Sequence, residues 1–276
     1  MKKTVLITGS SSGLGRATAR LFASTGWTVV ATMRDPSVDT DLGQLDDVLV
    51  VRLDVENPAS IEEAIAAGIE RFGHIDVLVN NAGFGLFGVF ESASSAQIRE
   101  QFDVNVFGVM NVTRALLPHL RERGTGVIVN ISSGAGVFGF PLLSLYTASK
   151  FALEGFSESL SHEMHSQGIV VKIIEPGVIC DTSFSARSGA EAARGLAISG
   201  YEDVIAATER VFGHLVSSST ASSDDVAHVI LEAATDGTDQ LRYVATSDIA
   251  AIIKTRRETS DVEYIEKLRA LYLTQE

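Results

Sequence analysis

Tyr146 and Lys150, in Tyr146-Thr147-Ala148-Ser149-Lys150, are the side chains of this chain best suited to moving a proton. The chain has five tyrosines and six lysines, and only this tyrosine has a lysine four residues on. On a helix that spacing sets both side chains on one face. A free phenol titrates at about 10 and is a poor base at neutral pH. A neighbouring ammonium favours phenolate and is expected to lower that value by roughly 1–3 units. Such a pair can protonate the alkoxide left when hydride adds to a carbonyl, or take the proton when an alcohol is oxidised.

Two more residues fit that chemistry. Ser132-Ser133 closes an apolar run, and a serine at the carboxyl end of a buried strand can polarise a carbonyl oxygen. Asn105 interrupts the apolar stretch Val104-Asn105-Val106-Phe107, and a buried amide needs partners. It either holds a water that links Lys150 to solvent or packs helices together.

The loop Thr8-Gly9-Ser10-Ser11-Ser12-Gly13-Leu14-Gly15 follows the first apolar run and opens a helical pattern. Glycines allow a tight turn and a close approach to pyrophosphate, and the helix that follows presents free N–H groups. Gly9, Ser11, Ser12, Gly13, Leu14 and Gly15 are therefore expected to bind a dinucleotide at the first strand–helix junction. The second run ends at Thr32-Met33-Arg34-Asp35. An acid there favours NAD through the ribose hydroxyls, whereas a base accommodates the 2′-phosphate of NADP. Arg34 comes first and can chelate a phosphate, with Ser11 as a further donor, so NADP is preferred and NAD stays open. Asp54 could accept from the adenine amino group beside the Val55 backbone, or simply start a loop. No metal site is expected.

These residues need a scaffold. Near-continuous apolar runs at 4–8, 28–32, 48–54, 77–80, 127–131 and 170–175 read as parallel strands covered on both faces. Helical patterns at 14–24, 59–72, 95–123 and 151–167 alternate with them, which predicts an α/β doubly wound parallel sheet in one domain, 1–276. Segment 35–47 has room only for a short helix or loop. Residues 178–222 are rich in Ser, Ala and Gly and follow a strand's carboxyl end, as a substrate lid would. A last strand is expected at 241–245, then one or two amphipathic helices over 248–272.

Bulk composition narrows the partners. With 276 residues, 45% of them apolar, the chain can bury a large core. A net charge of −13 argues against nucleic acid or an anionic membrane as partner. Cys180 is the only cysteine, so no intrachain disulfide can form. Met1-Lys2-Lys3-Thr4 precedes an apolar run too short for a signal peptide, and no stretch is long enough to span a bilayer. A cytoplasmic protein is expected.

Taken together, these motifs make the chain strongly resemble the short-chain dehydrogenase/reductase family, whose fold is the Rossmann sheet. The resemblance rests on the glycine loop, Asn80-Asn-Ala-Gly83, Asn105, Ser133, Tyr146-Thr-Ala-Ser-Lys150 and Pro176-Gly177, and covers residues 4 to about 180. It implies a catalytic tetrad of Asn105, Ser133, Tyr146 and Lys150. It also implies cofactor contacts from Asn80, Asn81, Ala82 and Gly83, and from Pro176, Gly177, Ile179 and Thr182 near the nicotinamide. Ala31-Thr-Met-Arg34, Asn81-Ala-Gly-Phe-Gly-Leu86 and Ser149-Lys-Phe-Ala-Leu-Glu-Gly155 are similar to the hydroxysteroid and retinol dehydrogenase branch, where the arginine selects NADP. Family members commonly pair helices 95–123 and 143–167, so a homodimer or homotetramer is expected.

The expected function is NADP(H)-dependent interconversion of a ketone or aldehyde and an alcohol on a lipophilic or aromatic substrate. Its pocket is expected from Phe84, Gly85, Leu86, Ala135, Phe138, Phe140, Leu143 and Phe184. The alternative is a non-catalytic NADP-binding sensor or regulatory protein on the same fold; such proteins usually lack a tetrad member, and here all four are present.

Overall fold

The apolar runs become seven strands of one sheet: β1 (Thr4–Ile7), β2 (Thr28–Met33), β3 (Val48–Arg52), β4 (Val77–Asn80), β5 (Gly126–Ile131), β6 (Ile169–Glu175) and β7 (Arg242–Val244). This computed structural model describes residues 2–182, 184 and 198–273. All strand pairings among these residues are parallel, in the order β3-β2-β1-β4-β5-β6-β7. The order reverses between β1 and β4, so their carboxyl ends flank the crevice where a doubly wound sheet binds ligands.

Alternate residues of each strand feed two cores. Val5, Ile7, Val77 and Val79 face α1 (Gly13–Ser24) and α7 (Ser223–Thr235). Leu6 and Leu78 face α2 (Pro58–Phe72), α4 (Val109–Arg123) and α5 (Ser144–His165). Both faces are covered, which is why the strands read as continuous apolar runs rather than alternating ones.

Two helices differ from their sequence patterns. The expected helix 95–123 is broken: α3 (Ser95–Phe102) gives way to π-helical turns over Asp103–Gly108 before α4 begins. Such wide turns inside a helix cluster at functional sites, and this one carries Asn105. The expected helix 151–167 begins earlier, at Ser144, because α5 includes the Tyr146–Lys150 turn. Segment 35–47 forms two short 3₁₀ turns, Pro36–Val38 and Leu42–Gln44.

Within 178–222, α6 (Glu202–Ser218) is helical; residues 183 and 185–197 of the expected lid, like Met1, lie outside the described residues. The tail forms α8 (Ala250–Glu258) and α9 (Asp261–Leu273), anchored where Ile249, Ile253 and Tyr264 bury Phe138. No helix among the described residues is long and apolar enough to cross a membrane.

Candidate active site

A cleft of about 420 Å³ runs across the carboxyl ends of the strands, from the glycine loop to α6. At the first end Gly9, Ser11, Ser12, Gly13, Leu14 and Gly15 line it, as expected. Gly9 adopts φ +71°. A Cβ on Gly15 would fall 2.2 Å from Gly9 O and 2.4 Å from Asn81 Nδ2, so only glycine fits. Asn81 Nδ2 donates to Thr8 O (2.9 Å) and Gly9 O (3.1 Å), and Thr8 Oγ1 accepts from the Asn81 and Ala82 N–H groups. The loop is thus riveted to the end of β4. Ser12, the residue before α1, supplies no side-chain cap, so the first-turn donors of α1 are not taken by it. This cradle, with a helix amino terminus opening on it, fits the pyrophosphate of a dinucleotide.

Arg34 lines the same end, and it makes no hydrogen bond or ion pair within 4.0 Å among the described residues. Asp35 does not line the cleft; its carboxylate accepts from the Ser37 N–H and hydroxyl, which hold it below the usual carboxylate range. Asp54 and Val55 both line the cleft, with Asp54 Oδ1 also accepting the Glu56 N–H.

The reacting end is built on β5 and α5. The Ser133 side chain favours the Tyr146 phenolate, and its oxygen accepts the Ala135 N–H. Lys150 Nζ donates to Ile131 O at 2.8 Å. The expected lowering of the phenol by lysine is not what this geometry gives. Burial pushes Tyr146 up to about 12, and only the Ser133 side chain pulls it down. The lysine Nζ is 5.7 Å from the Tyr146 ring centroid, and burial pushes Lys150 itself down to about 8. A cation driven toward neutrality and bound to a backbone carbonyl does little for a phenol at that distance.

Asn105 is buried beneath the site and does not line the cleft. Its amide donates to Phe84 O and Ser149 Oγ, and its oxygen accepts the Phe84 N–H. Ser149 in turn donates to Tyr146 O at 2.7 Å. Asn105 therefore clamps the loop after β4 to the turn that carries Tyr146.

Four other predicted residues stand apart. Asn80 points into the sheet core, bonding Thr113 and Asn130, because successive strand residues face opposite ways and Asn81 takes the loop side. Gly85 and Leu86 turn away from the cleft, the Leu86 N–H going to Gln101 Oε1. Phe138 is fully buried under α8.

The apolar wall is otherwise as expected, with Phe84, Ala135, Phe140, Leu143 and Phe184. The Phe184 ring lies 5.5 Å from that of Tyr146. Sequence reasoning missed Phe87 and, on α6, Phe212, Leu215 and Val216. The Phe212 ring meets Phe87 at 5.2 Å and Phe140 at 5.7 Å. The apolar spacing along α6 was the available signal for them. Ile179 and Thr182 line the cleft with Pro176 and Gly177. Thr246 and Asp248, also missed, hold this turn by accepting the Gly177 and Val178 N–H groups at 2.8 and 2.9 Å.

The short chain dehydrogenase family profile matches residues 3–208. An uncharacterised oxidoreductase of Schizosaccharomyces pombe is 37% identical over 235 residues, 84% of this chain and 96% of the relative. Retinol dehydrogenase 8 of Homo sapiens is 40% identical over 188 residues, 64% of this chain and 59% of the relative. A solved short-chain dehydrogenase from Streptomyces avermitilis superposes with TM-score 0.82 at 32% identity, covering 100% of this chain and 99% of the other. One from Burkholderia phymatum, in complex with NAD, gives 0.79 at 28%, covering 95% and 94%.

Proposed function

Because the chain belongs to the short-chain dehydrogenase family, whose members are oxidoreductases, we propose that it is an NADP(H)-dependent enzyme interconverting a ketone or aldehyde and an alcohol on a lipophilic or aromatic substrate. The observation that carries this reading is the buried Tyr146 phenol facing one cleft together with Ser133 and Lys150, between an apolar wall and the glycine cradle. With the glycine cradle holding the pyrophosphate and Pro176, Gly177, Ile179 and Thr182 the far end, a dinucleotide would supply or accept hydride through its nicotinamide. Ser133 donates to the substrate oxygen and orients it, and Tyr146 gives that oxygen a proton in reduction and takes one in oxidation. Lys150, as an ammonium, anchors the ribose, while Ser133 rather than the lysine favours the phenolate. Asn105 fixes the Tyr146 turn and supports proton relay toward Lys150.

Arg34, lining the adenosine end without a hydrogen bond among the described residues, and Asp35, turned away to Ser37, support NADP over NAD. The wall of Phe87, Phe140, Phe184 and Phe212 supports a lipophilic or aromatic substrate. The described part of the expected lid that lines the cleft is α6, through Phe212, Leu215 and Val216. Exposed Phe107 and Phe151, on the helices that family members pair, support a homo-oligomer, and the single cysteine suits the cytoplasm.

The test is an absorbance screen of ketones and alcohols at the reduced-nicotinamide band with both cofactors. Turnover of lipophilic substrates, faster with NADPH, is expected. Tight NADPH binding with no turnover across the panel would contradict the reading and favour a non-catalytic sensor.

A further inference from the structure

Behind the reacting pair lies a chain of buried charge that the chemistry above does not use. Glu154 follows Lys150 by one turn of α5 and is 6% exposed, and Glu175, ending β6, is fully buried. Buried carboxylates are unfavourable unless paired. Arg242 of β7 stands between them, its Nε 2.9 Å from Glu154 Oε2 and 3.7 Å from Glu175 Oε1. Arg257 of α8 donates to Glu175 Oε1 from the other side. One oxygen of each carboxylate, Glu154 Oε1 and Glu175 Oε2, is buried without a partner among the described residues, and so is Ser132 Oγ in the cleft wall.

Gly136 joins these groups to the cleft. A Cβ there would lie 2.5 Å from Ser132 Oγ and 3.2 Å from Glu154 Oε1. The glycine therefore keeps a polar space between the cleft wall and Glu154. One helical turn from Lys150 on the same buried face of that helix, Glu154 opposes the burial that pushes Lys150 down. Burial and Glu154 push Glu175 up, while Arg257 and Arg242 hold it down. The charged or titratable groups around the pair are Tyr146 and Glu158 on α5, Glu175 on β6, Arg242 on β7 and Arg257 on α8.

We propose that Glu154 is a positioning residue for the reaction: the buried counter-charge that keeps Lys150 an ammonium, held by the Arg242–Glu175–Arg257 chain that ends on the tail helix α8. This rests on the reading of Lys150 as part of the proton-handling pair. It gives the tail a part in the chemistry, because α8 supplies the outermost guanidinium.

The test follows Lys150 in the cofactor-free protein, by the pH dependence of its acetylation with acetic anhydride read by peptide mass spectrometry. Glu154→Gln should lower the midpoint by about one pH unit and move the matching limb of the kcat/KM profile alike. Glu154→Asp should restore both. An unchanged midpoint in folded Glu154→Gln overturns the proposal. Should that variant fail to fold, the wild type still decides, in low against high salt. A midpoint set by a buried carboxylate stays in place, whereas one set by the acidic surface falls as salt screens it, and that fall overturns the proposal. Absence of any turnover in the wild type would count against the functional reading alone, since the titration does not need it.

Discussion

Lys150 Nζ donates to the carbonyl oxygen of Ile131 at 2.8 Å, tying the reacting turn of α5 to the last residue of β5. Two residues further along that strand end stands Ser133, whose side chain favours the Tyr146 phenolate. The proton donor, its serine partner and the lysine are therefore fixed to one rigid strand end, where a loop would leave them mobile.

The buried lysine makes the stability of the cofactor-free protein depend on pH. Its value falls from 10.5 to about 8 on folding, so between those limits the unfolded chain holds more protons and stability rises with pH. Tyr146, raised from 10.0 to about 12, works the other way only above its unfolded value. Between pH 8 and 10 the wild type should therefore gain on the order of 1–3 kcal/mol in urea unfolding relative to Lys150→Met. Parallel curves for the two proteins would contradict this.

The glycine cradle admits no side chain at Gly15. Gly15→Ala should destabilise the fold by roughly 1–3 kcal/mol, since its methyl must push aside Gly9 O and Asn81. NADPH affinity, measured by fluorescence titration, should fall with it. A variant with wild-type melting temperature and affinity would show that the loop is not packed as described.

Arg34 is the residue on which the cofactor preference turns. Losing a charge-assisted contact of about 1.5–3 kcal/mol means a KM for NADPH roughly 10–100 times higher in Arg34→Leu, with NADH much less affected. Equal changes for both cofactors, or wild-type preference for NADH, would remove the basis for NADP.

Much of this site is local in sequence and was legible there. The glycine spacing, the Tyr146–Lys150 spacing and the strand-ending serines each lie within one turn or one junction. The illegible parts depend on distant residues. Nothing in the apolar residues around Asn105 announces a π-helical turn, because the clamp on Phe84 and Ser149 exists only after folding. Asn80 and Asn81 are adjacent and chemically identical, yet opposite strand faces send one to the core and the other to the cradle. Phe138 looks like a pocket residue until α8 covers it, more than a hundred residues later in the chain. Thr246 and Asp248 reach the Pro176–Gly177 turn only because β7 pairs with β6.

The central claim is that the Tyr146 hydroxyl carries the proton. The most direct measurement is kcat of Tyr146→Phe on the best substrate from the screen, together with its NADPH dissociation constant. Removing one atom should lower kcat by about 10²–10⁴-fold and leave cofactor affinity within about threefold of wild type. Wild-type turnover in that variant would contradict the mechanism, whatever the substrate proves to be.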